Sequence, residues 1–252
     1  MVLKIEHRAG TLLLTVDRPE VKNAINRELV TALCSALSAA ENDDSIHAIV
    51  LASSSRDVFL SGGDLGELSA QPLDAAGAIA VVDIGRELAA IERSSLPVIA
   101  AVEGAVFGGG CELLMLCDLL VMAKSATLSF VHARMGLTPA WGGATRLIER
   151  IGAARAGELL LTTRPFTADE AWRAGLATRL VEDGFALETA LALATDVSAR
   201  PREAIAAIKR SLLAVRTARR GAALQAEAEA FARAWGSPAH RAVFDALKSK
   251  KK

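Results

Sequence analysis

The chain has 252 residues, 52% apolar and 23% charged, which fits a folded, core-rich protein and excludes a disordered one. Lysine plus arginine and aspartate plus glutamate number 29 each, so no long-range field gathers nucleic acid. Three widely spaced cysteines (Cys34, Cys111, Cys117) and four scattered histidines form no C-x-x-C pair and no metal-ligand set.

The first residues, MVLKIEHRAG, carry no apolar export region, and the longest apolar stretch, Leu113 to Ala123, is interrupted by Asp118. It is far shorter than the ~20 residues of a spanning helix, so the expectation is a cytoplasmic protein without a membrane or nucleic-acid partner. Val2–Glu6 and Thr11–Val16 read as strands around an Ala-Gly turn. Residues 27–41 place Leu29, Val30, Leu33 and Leu37 at helical spacing. His47–Ala52 and Pro97–Val102 read as buried strands, with a polar loop over 53–66 and a helix over about 75–93 between them. The run GAVFGGG, a short helix and the strand Asp118–Ala123 follow. This alternation predicts an α/β fold with helices covering a sheet. From Gly142 onward the chain is Ala/Leu/Arg-rich, with helices predicted over 143–151, 153–161, 167–174, 185–216 (broken at Pro201) and 221–248. One strand-like piece, Ala177–Val181, interrupts them, and a soft domain boundary falls near residue 190. The basic run Lys248 to Lys252 reads as a solvated tail.

Three segments carry chemistry. In Gly104-Ala-Val-Phe-Gly-Gly-Gly-Cys-Glu112, consecutive glycines before a helix allow close backbone approach and leave the first N–H groups free at the positive end of the helix dipole. Glu112 sits one turn into an apolar helix, where a glutamate serves either as a cap reaching back to its own helix terminus or as a buried functional group. In Phe59-Leu-Ser61-Gly62-Gly63-Asp64-Leu65, Asp64 reads as a helix cap, and Gly63 offers a second backbone donor. Two N–H groups from separate loops, Gly63 and Gly109, converging on one oxygen would make an oxyanion hole. In Ser129-Phe-Val-His132…Pro139-Ala-Trp141-Gly-Gly, His132 is either a core residue or a functional one, and Trp141 is either a pocket wall or core filling.

These segments in this order, with Asp17-Arg-Pro-Glu-Val-Lys22-Asn-Ala24-Ile-Asn26 ahead of them, resemble the crotonase superfamily (enoyl-CoA hydratase/isomerase) over about residues 3 to 235. The resemblance implies a spiral of ββα units over 1–190 and a helical trimerisation region over 191–252. It also implies a homotrimer or dimer of trimers, and a substrate held as a CoA thioester with no cofactor beyond that carrier. By position, Gly63 and Gly109 match the oxyanion-hole donors and Glu112 the first of two catalytic glutamates. Lys22 and Ala24, with Ser61, Asp64 and Leu65 beside the first glycine loop, match the stretches that border the CoA thioester, and Trp141 a wall of the acyl pocket. The second glutamate of the family's hydratases is replaced here by His132.

Any enolate-forming reaction of a thioester can use such a hole. Hydration would need His132 to share the work of the missing carboxylate, and an ordinary imidazole pKa of ~6.5 suits that. The segment around Phe130-Val-His132 and Trp141 is similar to ethylmalonyl-CoA decarboxylases of this superfamily. That similarity tips the expectation toward decarboxylation of a short malonyl-type acyl-CoA such as ethylmalonyl- or methylmalonyl-CoA. Glu112 beside a substrate carboxylate stands in tension with that reading. Enoyl-CoA hydration is the alternative, and an inactive acyl-CoA-binding paralogue is the non-enzymatic one.

Overall fold

The computed structural model describes residues 2–218 and 220–249, so residues 250–252 of the basic run lie outside the described residues. Strand β1 (Leu3–Arg8) turns through Ala9 and Gly10, both at positive φ, into the antiparallel β2 (Thr11–Val16). Helix α1 (Arg27–Glu41) starts at Asn26, whose side chain accepts the Leu29 N–H, and buries Leu29, Val30, Leu33, Ala36, Leu37 and Ala40. Strands β3 (Ala48–Ser53) and β4 (Val58–Leu60) follow, then helices α2 (Leu65–Ala70), α3 (Ala75–Leu88) and α4 (Ala90–Arg93). The next units are β5 (Val98–Val102), β6 (Ala105–Phe107) and α5 (Gly109–Leu114), then β7 (Leu119–Ala123) and β8 (Thr127–Ser129). A 3-10 turn over Val131–Met135 leads to α6 (Gly143–Ile151), α7 (Ala153–Thr162), β9 (Phe166–Thr167), α8 (Ala168–Arg173) and β10 (Arg179–Val181). The chain closes with α9 (Ala186–Ser198), α10 (Arg202–Thr217), α11 (Arg220–Ala234) and α12 (Pro238–Ser249).

Two sheets result. The larger runs β1-β2-β3-β5-β7-β10, parallel from β2 onward, and the smaller runs β4-β6-β8-β9. In each of the pairs β3–β4, β5–β6 and β7–β8, the first strand joins the large sheet and the next one the small sheet. This is the expected spiral of ββα units. Alternate residues face opposite sides of the large sheet. Leu12, Leu14, Ile49, Leu51, Val98, Ala100, Leu120 and Met122 enter the main core, while Leu13, Val50, Ile99 and Val121 face α9.

Helix α9 runs through residue 190, where the sequence suggests a boundary, and lays Ala186, Ala190 and Ala194 on the sheet. The small side chains at four-residue spacing let its backbone approach closely, so α9 belongs to the sheet layer, and the helices after Pro201 are the ones that leave it. Two predicted helices are each split: 75–93 divides at Ala89, and 221–248 divides where Gly236 adopts φ +70 just ahead of Pro238. The small sheet was invisible to periodicity because its strands are two or three residues long.

The C-terminal helices are tied back through Glu92, only 3% exposed, which accepts from Arg146 Nε (2.9 Å), Arg220 Nη1 (2.6 Å) and Arg216 Nη2 (3.1 Å). Burial pushes the Glu92 carboxyl up, but the Arg146 and Arg220 guanidiniums outweigh it and hold it below the usual range. Among the described residues, no helix is long and apolar enough to cross a membrane.

Candidate active site

The small sheet places the site. β4, β6 and β8 are parallel neighbours, with Leu60 beside Val106 and Phe107 beside Ser129. Their carboxyl ends therefore lie on one edge, where α/β sheets offer loops to ligands. The loop after β4 carries Ser61, Gly63 and Asp64, the loop after β6 carries Gly108 and Gly109, and the turn after β8 carries His132. A Cβ placed on Gly62 would lie 3.4 Å from the Gly109 nitrogen, so the first two loops touch. Ile25 donates to the Gly62 carbonyl (2.7 Å) and accepts the Asp64 N–H (2.8 Å), which turns the intervening N–H of Gly63 away from that pairing. Gly109 is the first residue of α5, where an N–H has no partner within its helix.

Glu112 enters the same space. It does not cap its own helix: the N–H of the N-cap, Gly108, goes to the Ser129 carbonyl (2.9 Å). Its Oε2 instead accepts the N–H groups of Trp141 (2.7 Å) and Gly143 (3.0 Å), and its Oε1 accepts that of Ala140 (3.4 Å). A carboxylate from α5 thus serves the N-terminus of α6, a favourable place for negative charge. Gly143 permits this approach, since a Cβ there would stand 2.3 Å from Glu112 Cγ. His132 Nε2 lies 3.0 Å from Glu112 Oε1, and both residues line the same cavity. Its Nδ1 is buried without a hydrogen-bond partner among the described residues.

The Asp17–Asn26 segment forms a second rim. After the Pro19–Val21 turn, Lys22 and Asn23 both adopt left-handed conformations, and the fully buried Asn23 accepts the Arg18 N–H at 2.7 Å. Arg18 reaches across to Asp64 (3.0 Å), fastening this rim to the first glycine loop. The other Asp64 oxygen accepts the Gly66 and Glu67 N–H groups. The carboxylate expected at the thioester is therefore occupied in shaping the loop, because the cap and the ion pair together use both of its oxygens.

All the residues expected at the site meet in one cavity of about 580 Å³: Lys22, Ala24, Ser61, Gly63, Asp64, Leu65, Gly109, Glu112, His132 and Trp141. Its volume suits a small-molecule site. The Trp141 indole is held by an Nε1–H bond to the Val81 carbonyl (2.9 Å). Sequence reasoning missed the fourth wall: Phe231, Trp235, Phe244 and Leu247 of the C-terminal helices also line the cavity. The resemblance implies a trimerisation region there and says nothing of a cavity wall. A legible signal existed, since aromatics make up just 4% of the chain and three of them cluster in this Ala-rich stretch.

Glu227 on α11 was also missed. It is 9% exposed, and its Oε2 accepts the Thr145 N–H (2.9 Å) and hydroxyl (2.6 Å), so a second carboxylate serves the first turn of α6. Burial pushes its pKa up, the nearby Glu112 carboxylate adds to this, and the Thr145 bonds oppose it without cancelling it. With a raised folded pKa, the unfolded chain loses this proton first as pH rises. The associated stability is present below the ordinary glutamate range and is lost as pH climbs through the folded value. Glu227→Gln keeps an acceptor for Thr145 without the charge, so its stability relative to wild type should increase between pH 4 and pH 8. Urea midpoints across that range measure it, and a difference independent of pH would remove the electrostatic explanation.

Comparison with known proteins gives the same picture. The sequence profile of the enoyl-CoA hydratase/isomerase family matches residues 6–249. The 2,3-dehydroadipyl-CoA hydratase of Escherichia coli (strain K12) is 34% identical over 211 residues, 83% of this chain and 81% of that protein. The short-chain-enoyl-CoA hydratase of Clostridium acetobutylicum is 28% identical over 250 residues, 98% of this chain and 95% of that one. The crystal structure of an enoyl-CoA hydratase/isomerase from Pseudoalteromonas atlantica T6c superposes with a TM-score of 0.87 at 31% identity, covering 99% of this chain and 98% of that one. An acyl-CoA-processing enzyme is the common denominator of spiral, site and relatives, and the chain belongs to the enoyl-CoA hydratase/isomerase family.

Proposed function

We propose that this enzyme hydrates a 2-enoyl-CoA, with Glu112 and His132 as its acid–base pair and the N–H groups of Gly63 and Gly109 as its oxyanion hole. The observation that carries the reading is the 3.0 Å contact between His132 Nε2 and Glu112 Oε1 in the wall of the cavity. A histidine and a carboxylate in contact can divide the work of two glutamates. Glu112 takes a proton from water as the oxygen bonds to C3. The C2=C3 π electrons move to C2 and the enolate charge settles on the thioester oxygen, held by the two backbone donors. Protonated His132 delivers a proton to C2, and the proton on Glu112 crosses to Nε2, restoring both groups.

Decarboxylation of a malonyl-type thioester, favoured from sequence, is less well supported. Both oxygens of Glu112 accept from backbone N–H groups. A second carboxylate placed there would meet another acceptor, whereas water offers a proton. The hydratase names of the relatives favour the same side.

Mass spectrometry with crotonyl-CoA and ethylmalonyl-CoA tests the proposal. Gain of the mass of water on the first supports it. Loss of the mass of CO₂ from the second, with crotonyl-CoA untouched, would replace it with the decarboxylase. Turnover of neither would indicate a binding protein. His132→Ala should lower the hydration rate on the order of 10²-fold, and an unchanged rate would remove His132 from the mechanism.

A further inference from the structure

Trp141 stands between two cavities. One is the site cavity, and the other, about 560 Å³, has Val82, Ala89, Leu213, Leu224 and Ala228 in its lining beside a charged and polar side that includes Arg86, Arg93 and Gln225. Trp141 borders both. The charged groups of the rear space have protein partners: Arg146 and Arg220 pair with Glu92, Arg86 pairs with Asp83, and Arg93 donates to the Arg86 carbonyl.

The indole sits in a slot made by glycines from three elements. A Cβ on Gly109 would lie 2.3 Å from Trp141 Cζ3, one on Gly85 of α3 would lie 2.7 Å from Trp141 Cβ, and one on Gly63 would lie 3.8 Å from Cη2. The Nε1–H bond to the Val81 carbonyl fixes the ring's orientation. The same ring therefore packs against both candidate oxyanion donors and lines the space on either side.

We propose that Trp141 determines acyl-chain length: its indole is the partition that restricts the site to short acyl thioesters, and the space behind it would accept the tail of a longer chain along its Val82, Leu213 and Leu224 side once the ring is removed. The inference rests on the acyl-CoA reading of the site and not on whether hydration or decarboxylation follows.

The test is calorimetric binding of butanoyl-CoA and decanoyl-CoA, saturated thioesters that cannot be hydrated. Wild type should bind decanoyl-CoA at least tenfold more weakly than butanoyl-CoA. Each methylene that becomes buried is worth about fourfold in affinity, so a few suffice to invert the order. Trp141→Ala should favour decanoyl-CoA by tenfold or more. Trp141→Leu, which keeps an apolar side chain in the glycine slot, should narrow the wild-type gap, and it carries the test if the alanine variant does not fold. A wild type that binds both thioesters equally, or folded variants that keep the wild-type preference, would overturn the proposal. Since nothing turns over, failure here stays distinct from failure of the hydration assay.

Discussion

Glu112→Gln is expected to lower kcat for crotonyl-CoA hydration by about 10³-fold with a smaller change in KM, within the range that a positioned acid–base group supplies. The variant has nearly the same size, so the loss reports chemistry more than packing. Its amide also conflicts with its surroundings. Trp141 and Gly143 donate to one oxygen, while Ala140 donates to the other, which also contacts His132. Whichever way the amide turns, its NH₂ faces a donor, and either the Trp141 and Gly143 N–H groups or that of Ala140 lose their acceptor. Steady-state kinetics with crotonyl-CoA and a binding measurement with butanoyl-CoA separate the two effects. A kcat within tenfold of wild type would leave Glu112 as a support for α6 and shift the search for a base elsewhere.

Gly109→Ala is expected to reduce turnover by 10²- to 10³-fold, the usual effect of losing one oxyanion donor. The N–H itself survives this substitution, so the cause is displacement. The three atoms nearest the new methyl all belong to the Trp141 ring, at 2.3, 2.7 and 3.0 Å. Either the ring leaves its slot or the glycine loop moves, and overpacking of this kind typically costs about 1–3 kcal/mol of stability. A second substitution therefore has a defined sign. In Gly109→Ala/Trp141→Ala the clash is gone, and turnover of crotonyl-CoA should recover at least tenfold over Gly109→Ala, a coupling that a double-mutant cycle reads directly. Full activity in Gly109→Ala would mean that the new methyl displaces neither the ring nor the N–H. A double variant no better than the single would mean that the clash with the ring is not what costs the turnover.

Local chemistry was legible in the chain. Residues 27–41 form the helix their period dictates, Asn26 caps it, and the glycines at 62–63 and 108–110 lie where backbone must approach closely. These features depend on neighbours a few residues apart, which is the range over which periodicity, caps and turns act. The gathering of Lys22, Ser61, Gly63, Gly109 and Glu112 in one cavity was likewise legible through the resemblance.

What Glu112 does with its charge was not legible. Its partners lie 20 to 31 positions away, and their N–H groups are available only because α6 begins against α5. Asp64 likewise became a clamp when Arg18, 46 residues earlier, reached it. The aromatic wall from α11 and α12, the Glu227 carboxylate over the first turn of α6 and the glycine slot around Trp141 all arise between segments far apart in the chain. A sequence by itself determines which groups a short stretch can offer. Only the tertiary structure decides which of them meet, because burial and hydrogen-bond geometry are set by distances that run through space, not along the backbone.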